Sequence, residues 1–191
     1  MYKLCKSEQS IRRQREIEDV LLELLLTRRY EDITVSDLCQ RIGLPRKSFY
    51  RYFSGKDGAL FALIDHALLD HRIYITERSD GYSRDPQSYL EGVCLYWKNR
   101  KKLLDALEKS GLSGVLIQRA ILFSREMDSA PSFLRTEEQQ LQEYGAMFTT
   151  CGIVIMMVQW HRDGYRQSVE QMARLVLHLL SRPLFNLETT E

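Results

Sequence analysis

The chain has 191 residues, 44% hydrophobic and 28% charged, with a formal net charge of +1. That length holds one good-sized core, or a small module attached to a larger one, and the composition is that of an ordinary globular protein. Four cysteines at positions 5, 39, 94 and 151, far apart and with no C-x-x-C pair, fit reduced thiols in a cytosolic protein better than a disulfide scaffold.

Taken in chain order, nearly every segment carries the helical period. From Ser10 to about Arg28, apolar residues fall at Ile17, Val20, Leu21, Leu24 and Leu25, one face of a helix. "EDITVSDL" stops and restarts the chain, because the hydroxyl of Thr34 and the carboxylate of Asp37 can accept the free N–H groups of a first turn. The second helix buries Val35, Leu38, Cys39 and Ile42, and Gly43 allows the left-handed residue that ends it. Pro45, with no N–H to leave unpaired, suits the opening of a third. Ser54 and Asp57 repeat the cap signature before a fourth helix, which runs to near Thr76 and carries Leu60, Phe61, Ile64 and Leu68 inward.

"SDGYSRDP", residues 79–86, is the clearest break. Beyond it the pattern predicts helices at about 87–99, 100–110, 113–127, 137–162 and 168–181, and no alternation long enough for a strand. The expected fold is all-α with about nine helices. The expected divisions are residues 1–56, with the helix-turn-helix pattern, 57–78, a connecting helix, and 79–191, a larger helical body. The uncharged run from Tyr144 to Trp160 approaches membrane-spanning length, but its glycines, threonines and glutamine read as a buried helix. "MYKLCKSEQSIRRQR" lacks the apolar core of a signal peptide, which points to the cytoplasm.

Charge is unevenly distributed. Residues 1–56 hold 12 Lys/Arg against 8 Asp/Glu, and no acid stands between Asp37 and Asp57, where Arg41, Arg46, Lys47, Arg51 and Lys56 fall. A cationic patch on a near-neutral protein implies a surface that meets an anion. Within "RKSFYRYF", helical winding sends Arg46, Lys47, Tyr50 and Arg51 into one arc of about 140°. Phe49 and Phe53 point the other way, and Ser48 and Tyr52 lie at the margins. A short helix that is cationic and aromatic outside and apolar inside can read a major groove. Thr34 and Ser36 at one helix start, and Lys56 at another, add potential phosphate grips.

The stretch "ITVSDLCQRIGLPRKSFYRYFSGKDGALFALI" resembles the N-terminal module of the TetR/AcrR family of bacterial transcription regulators. The likeness lies in the "T-x-x-D-L" start, the "GL" turn, "FYRYF" and "SGKDGAL", and covers about residues 10–65. The resemblance implies a three-helix DNA-binding head, a larger ligand-sensing body, a homodimer and a palindromic operator. Carried over by position, contacts to DNA fall to Thr34, Ser36, Arg46, Lys47, Ser48, Tyr50, Arg51, Tyr52 and Lys56. Pro45 stands where family members commonly show Ser or Thr, which removes a capping hydroxyl.

In the body, Tyr89, Val93, Cys94 and Trp97, with Met147 and Cys151, combine aromatic, thiol and thioether groups that can line an apolar cavity for a small-molecule effector. The last two helices are apolar around much of their girth, and such helices need a second copy to cover them. The expected dimer interface comprises Gly152, Ile153, Met156, Trp160, Val169, Met172, Ala173, Val176 and Leu180. "QWHRDGYRQSVEQMARLV" resembles the C-terminal ends of some TetR-family members, where this helix pair forms that interface.

Nothing in the sequence calls for catalysis, a cofactor or a metal. The four histidines have no metal-ligand spacing, and Asp65-His66 and Asp70-His71 read as polar-face residues of the connecting helix. Two function classes stay open. One is a ligand-responsive DNA regulator, repressing by promoter occlusion. The other is a helical protein-interaction module or co-regulator whose operator binding is weak or lost.

Overall fold

Thr34 and Asp37 illustrate how this chain starts its helices. Asp37 N–H donates to Thr34 Oγ1 at 3.2 Å while Thr34 N–H donates to Asp37 Oδ2 at 2.7 Å, closing a capping box. At the other end of that helix Gly43 takes φ 63°, so that Leu44 N–H reaches back to the Cys39 carbonyl at 2.9 Å. A Cβ would strain that backbone conformation, which is why glycine ends the helix.

The computed structural model describes Tyr2, Lys3, Cys5 and residues 7–77, 85–125 and 138–181. Among these, nine α-helices occur: α1 Glu8–Thr27, α2 Val35–Arg41, α3 Arg46–Phe49, α4 Lys56–Glu77, α5 Pro86–Asn99, α6 Lys101–Lys109, α7 Ser113–Arg125, α8 Gln139–Arg162 and α9 Val169–Ser181. A 3-10 turn, Tyr30–Asp32, precedes α2. No strand is present among the described residues, only a single bridge between Tyr2 and Phe53. The expected break at 79–86 lies outside the described residues apart from Asp85 and Pro86, as do 126–127 of the seventh expected helix and 137 of the eighth. Asp85 starts α5, accepting from the N–H groups of Gln87 and Ser88 at 3.1 Å each.

The chain divides into two compact units. The first comprises residues 1–70 and 100–123. Its core is built from Ile17, Leu21 and Leu25 of α1, Ile33, Leu38 of α2, Phe49 and Phe53, and Leu60 and Ile64 of α4, all at most 2% exposed. Truncating a buried phenylalanine of this kind costs about 3–5 kcal/mol. α1 also packs on α6. Phe61, expected inward, is half-buried beneath the Arg119 guanidinium, 5.3 Å from its ring.

The second unit comprises residues 71–99 and 124–191. Here α5 packs chiefly on α9 and less on α8, burying Leu90, Val93 and Trp97 of α5 and Met172, Ala173 and Val176 of α9. The Trp160 indole N–H, at the end of α8, donates to the Gln167 carbonyl at 3.1 Å.

The uncharged run read as a buried helix is covered only in part. Val154, Met157, Val158 and Trp160 are buried, whereas Leu141, Tyr144, Phe148 and Ile155 are exposed. Leu141–Arg162 is long and apolar enough to cross a membrane by length and composition.

Candidate nucleic-acid interface

The reading segment is set by its apolar side. Phe49 and Phe53 are 0% and 1% exposed, with ring centroids 5.3 Å apart. Anchoring those two rings turns Arg46, Lys47, Tyr50 and Arg51 out to solvent, and leaves Ser48 and Tyr52 half-buried. Only Arg46–Phe49 is regular α-helix, but the winding continues through Arg51 N–H to Ser48 O at 3.2 Å and Tyr52 N–H to Phe49 O at 2.9 Å. The periodicity argument for the outer face therefore survives past the end of α3. The Tyr50 ring stands edge-on to Phe49 at 5.6 Å, which stiffens an exposed aromatic group beside three cations.

The other expected contacts are placed differently. Ser36 is exposed in the first turn of α2. Thr34 is exposed too, but its hydroxyl already serves the capping box, donating to Asp37 Oδ2 at 2.6 Å. That hydroxyl, together with the Thr34 N–H, holds the Asp37 carboxyl below the usual carboxylate range. Lys56 points inward over the 3-10 turn, where its ammonium meets three backbone carbonyls. Tyr30 beside it donates its phenolic hydroxyl to Asp57, and burial first, then that carboxylate, raise the phenol well above its ordinary value.

Beneath this surface lies a polar seam that periodicity did not disclose. Glu18, 1% exposed on α1, meets His66 Nδ1 at 2.8 and 2.9 Å. Burial raises the Glu18 carboxyl, opposed by the His66 hydrogen bond. Asp65 accepts a two-pronged grip from Arg119, its Nε at 2.7 Å, and also the Tyr2 hydroxyl at 2.8 Å. Asp70 joins Arg15 and Arg100, each at 3.1 Å. The reading of Asp65-His66 and Asp70-His71 as polar-face pairs is thus corrected. Asp65, His66 and Asp70 are wholly or partly covered and find partners across the fold, as covered polar groups must.

In the second unit, Val93, Cys94 and Trp97 are buried, while Tyr89 of α5 and Met147 and Cys151 of α8 are partly covered. Burial raises the Tyr89 phenol and pushes the Cys94 thiol up to about 12, the wrong direction for a reactive thiolate. An aromatic cluster that the sequence pattern does not disclose adds His71 and Tyr74. The His71 ring lies 5.0 Å from Tyr96 and 5.8 Å from Trp97, and Tyr74 lies 5.5 Å from Tyr96. His71 Nε2 is sealed from solvent without a hydrogen-bond partner among the described residues. Of the residues assigned to pairing, Trp160, Met172, Ala173 and Val176 are covered within one chain, and Gly152, Ile153, Met156, Val169 and Leu180 are partly exposed.

Residues 17–63 match the family model for bacterial regulatory proteins of the tetR family. The fold agrees. A structure described as a TetR-family transcriptional regulator from Syntrophomonas wolfei aligns over 94% of this chain and 100% of its own, with TM-score 0.66 at 15% identity. The fatty acid degradation regulator FadR from Bacillus halodurans aligns over 95% and 98%, TM-score 0.59, at 14% identity. The dihydroxyacetone kinase operon activator DhaS aligns over 89% and 94%, TM-score 0.55, at 18% identity. No curated protein matches the sequence. Residues 17–63 thus carry the DNA-binding module of bacterial regulatory proteins of the tetR family, and the chain shares the fold of TetR-family transcriptional regulators.

Proposed function

We propose that this chain acts in the cytoplasm as a homodimer, binds a palindromic operator through two copies of its reading segment, and represses transcription until a small-molecule effector releases it. The observation that carries the DNA reading is the exposed quartet Arg46, Lys47, Tyr50 and Arg51, held outward by two buried phenylalanines in a stretch without acids. Guanidinium groups bridge the paired acceptors of guanine, ammonium groups meet phosphate, and a tyrosine hydroxyl serves either.

Pairing is supported by α8. Leu141, Tyr144, Phe148 and Ile155 are 53–75% exposed and recur every three, four and seven residues, with Gly152 on the same stripe. A single stripe of that kind fits a two-fold helix contact, which buries one face from each copy. The opposite side of α8 is already occupied by Val154, Met157, Val158 and Trp160.

The test is selection of duplexes from a random library by the full chain at fixed salt. Enrichment of one inverted repeat, bound with a steep loss of affinity as salt rises, is the expected result. A library that stays random, or binding indifferent to salt, overturns the proposal in favour of a protein-interaction module.

A further inference from the structure

The residues ahead of α1 lie against the end of the reading segment. Tyr2 pairs with Phe53 in an antiparallel bridge, and Lys3 N–H donates to the Tyr52 carbonyl at 3.0 Å. Buried Gln14 secures the arm from α1, its Nε2 donating to the Lys3 carbonyl at 3.3 Å. The arm is tied down at its side chain as well. The Tyr2 ring stands edge-on to His66 at 5.9 Å, and its hydroxyl donates to Asp65 Oδ2 at 2.8 Å. The same carboxylate is gripped by both nitrogens of an Arg119 fork from α7.

A continuous series of bonds therefore runs from α7, through one carboxylate and the Tyr2 hydroxyl, to the backbone that ends the reading segment. Every link lies within the first unit. We infer that Tyr2, Asp65 and Arg119 form a positioning relay, through which α7 sets where the Tyr52–Phe53 backbone, and with it the reading segment, sits. The functional meaning rests on the DNA-binding reading proposed above, but the relay itself does not.

Three features give the series directional content. The two-pronged guanidinium–carboxylate contact fixes both distance and plane, which a lysine or a single hydrogen bond would not. Asp65 is 9% exposed, so its bonds act in a medium of low dielectric and are costly to leave unmade. The Tyr52 carbonyl lies past the end of a short helix, where no following turn supplies it a donor. Here its acceptor is matched by a backbone N–H whose own position depends on Tyr2. A shift of α7 can thus move the reading segment without passing through the hydrophobic core.

The experiment compares the wild-type chain with Tyr2→Phe, Arg119→Gln and the double variant, by amide hydrogen exchange and by affinity for the duplex that the wild type enriches. Tyr2→Phe keeps the ring against His66 and the backbone bridge, and removes only the hydroxyl. Each single variant is expected to speed exchange at Lys3 and Tyr50–Phe53 on the order of tenfold, and to weaken duplex binding by a similar factor. The double variant should be no worse than the worse single, because both changes cut one series. Leu116→Ala provides the control: it lowers global stability from the same helix and should leave the exchange of Tyr50–Phe53 relative to the α1 core unchanged. Should Arg119→Gln fail to fold, Arg119→Lys keeps the charge without the fork, and an intermediate effect is expected. Unchanged exchange at Tyr50–Phe53 in Tyr2→Phe, or additive effects in the double variant, overturns the relay. If the wild type enriches no duplex, the DNA reading fails, while the exchange data still decide the relay.

Discussion

The Lys56 ammonium donates to the Tyr30 carbonyl oxygen at 2.6 Å, directly above the face of the same residue's ring, 4.4 Å from its centroid. The Ile33 and Glu31 carbonyls complete the set at 2.9 and 3.2 Å. An ammonium has three protons, and three carbonyls match them. Lys56 thus closes the 3-10 turn onto the start of α4. Replacing it by methionine, which keeps the aliphatic stem, should destabilise the fold by about 1–3 kcal/mol, since three carbonyls lose a charged donor. Urea unfolding followed by far-ultraviolet circular dichroism checks this, and an unchanged midpoint would refute it.

Arg46 and Tyr50 are exposed, and the Tyr50 ring meets the edge of Phe49. Arg46→Ala and Tyr50→Ala should each weaken binding to the enriched duplex by roughly 1–3 kcal/mol while leaving the melting temperature nearly unchanged. Lys47→Ala should instead weaken all duplexes alike and reduce the slope of log affinity against log salt by about 1. Gel shifts across a salt series separate the two behaviours.

Phe148 is 75% exposed, whereas Met172 is 5% exposed. If α8 pairs across a two-fold axis, Phe148→Glu places two carboxylates against each other there and should yield a folded monomer. Met172→Glu buries a charge inside the protomer and should unfold it instead. Sedimentation at micromolar concentration, read against the 22.5 kDa chain mass, distinguishes these outcomes. A wild-type chain sedimenting at that mass would end the dimer proposal.

Burial pushes the His71 imidazole down to about 4 from the ordinary value near 6.5. The folded state therefore holds this ring neutral where the unfolded chain would protonate it. The associated stability is fully present above pH 6.5 and is lost as pH falls toward 4, by about 3 kcal/mol over the window. His71→Phe should flatten that dependence. Both tryptophans, Trp97 and Trp160, belong to the second unit, so their emission during urea unfolding at pH 7 and pH 4.5 reports the same unit.

The sequence alone disclosed the helices, because their signals are local. Caps such as Thr34 with Asp37, the left-handed Gly43, and apolar residues every three or four positions act within a few residues of where they stand. The same locality made the outer face of the reading segment legible, since two phenylalanines four apart can be buried only by turning Arg46, Lys47, Tyr50 and Arg51 outward. What periodicity cannot carry is which partner a polar side chain meets across the fold. Glu18 with His66, Asp65 with Arg119 and Tyr2, and Lys56 with the Tyr30 carbonyl join residues 26 to 63 positions apart. The same limit applies to the last helices, whose apolar residues were expected to be covered by a second copy. Only packing decided that Met172, Ala173 and Val176 spend their apolar surface within the chain and that Phe148 does not. An apolar side chain is driven out of water whichever surface covers it, so its sequence records the need for burial and not the neighbour that meets it.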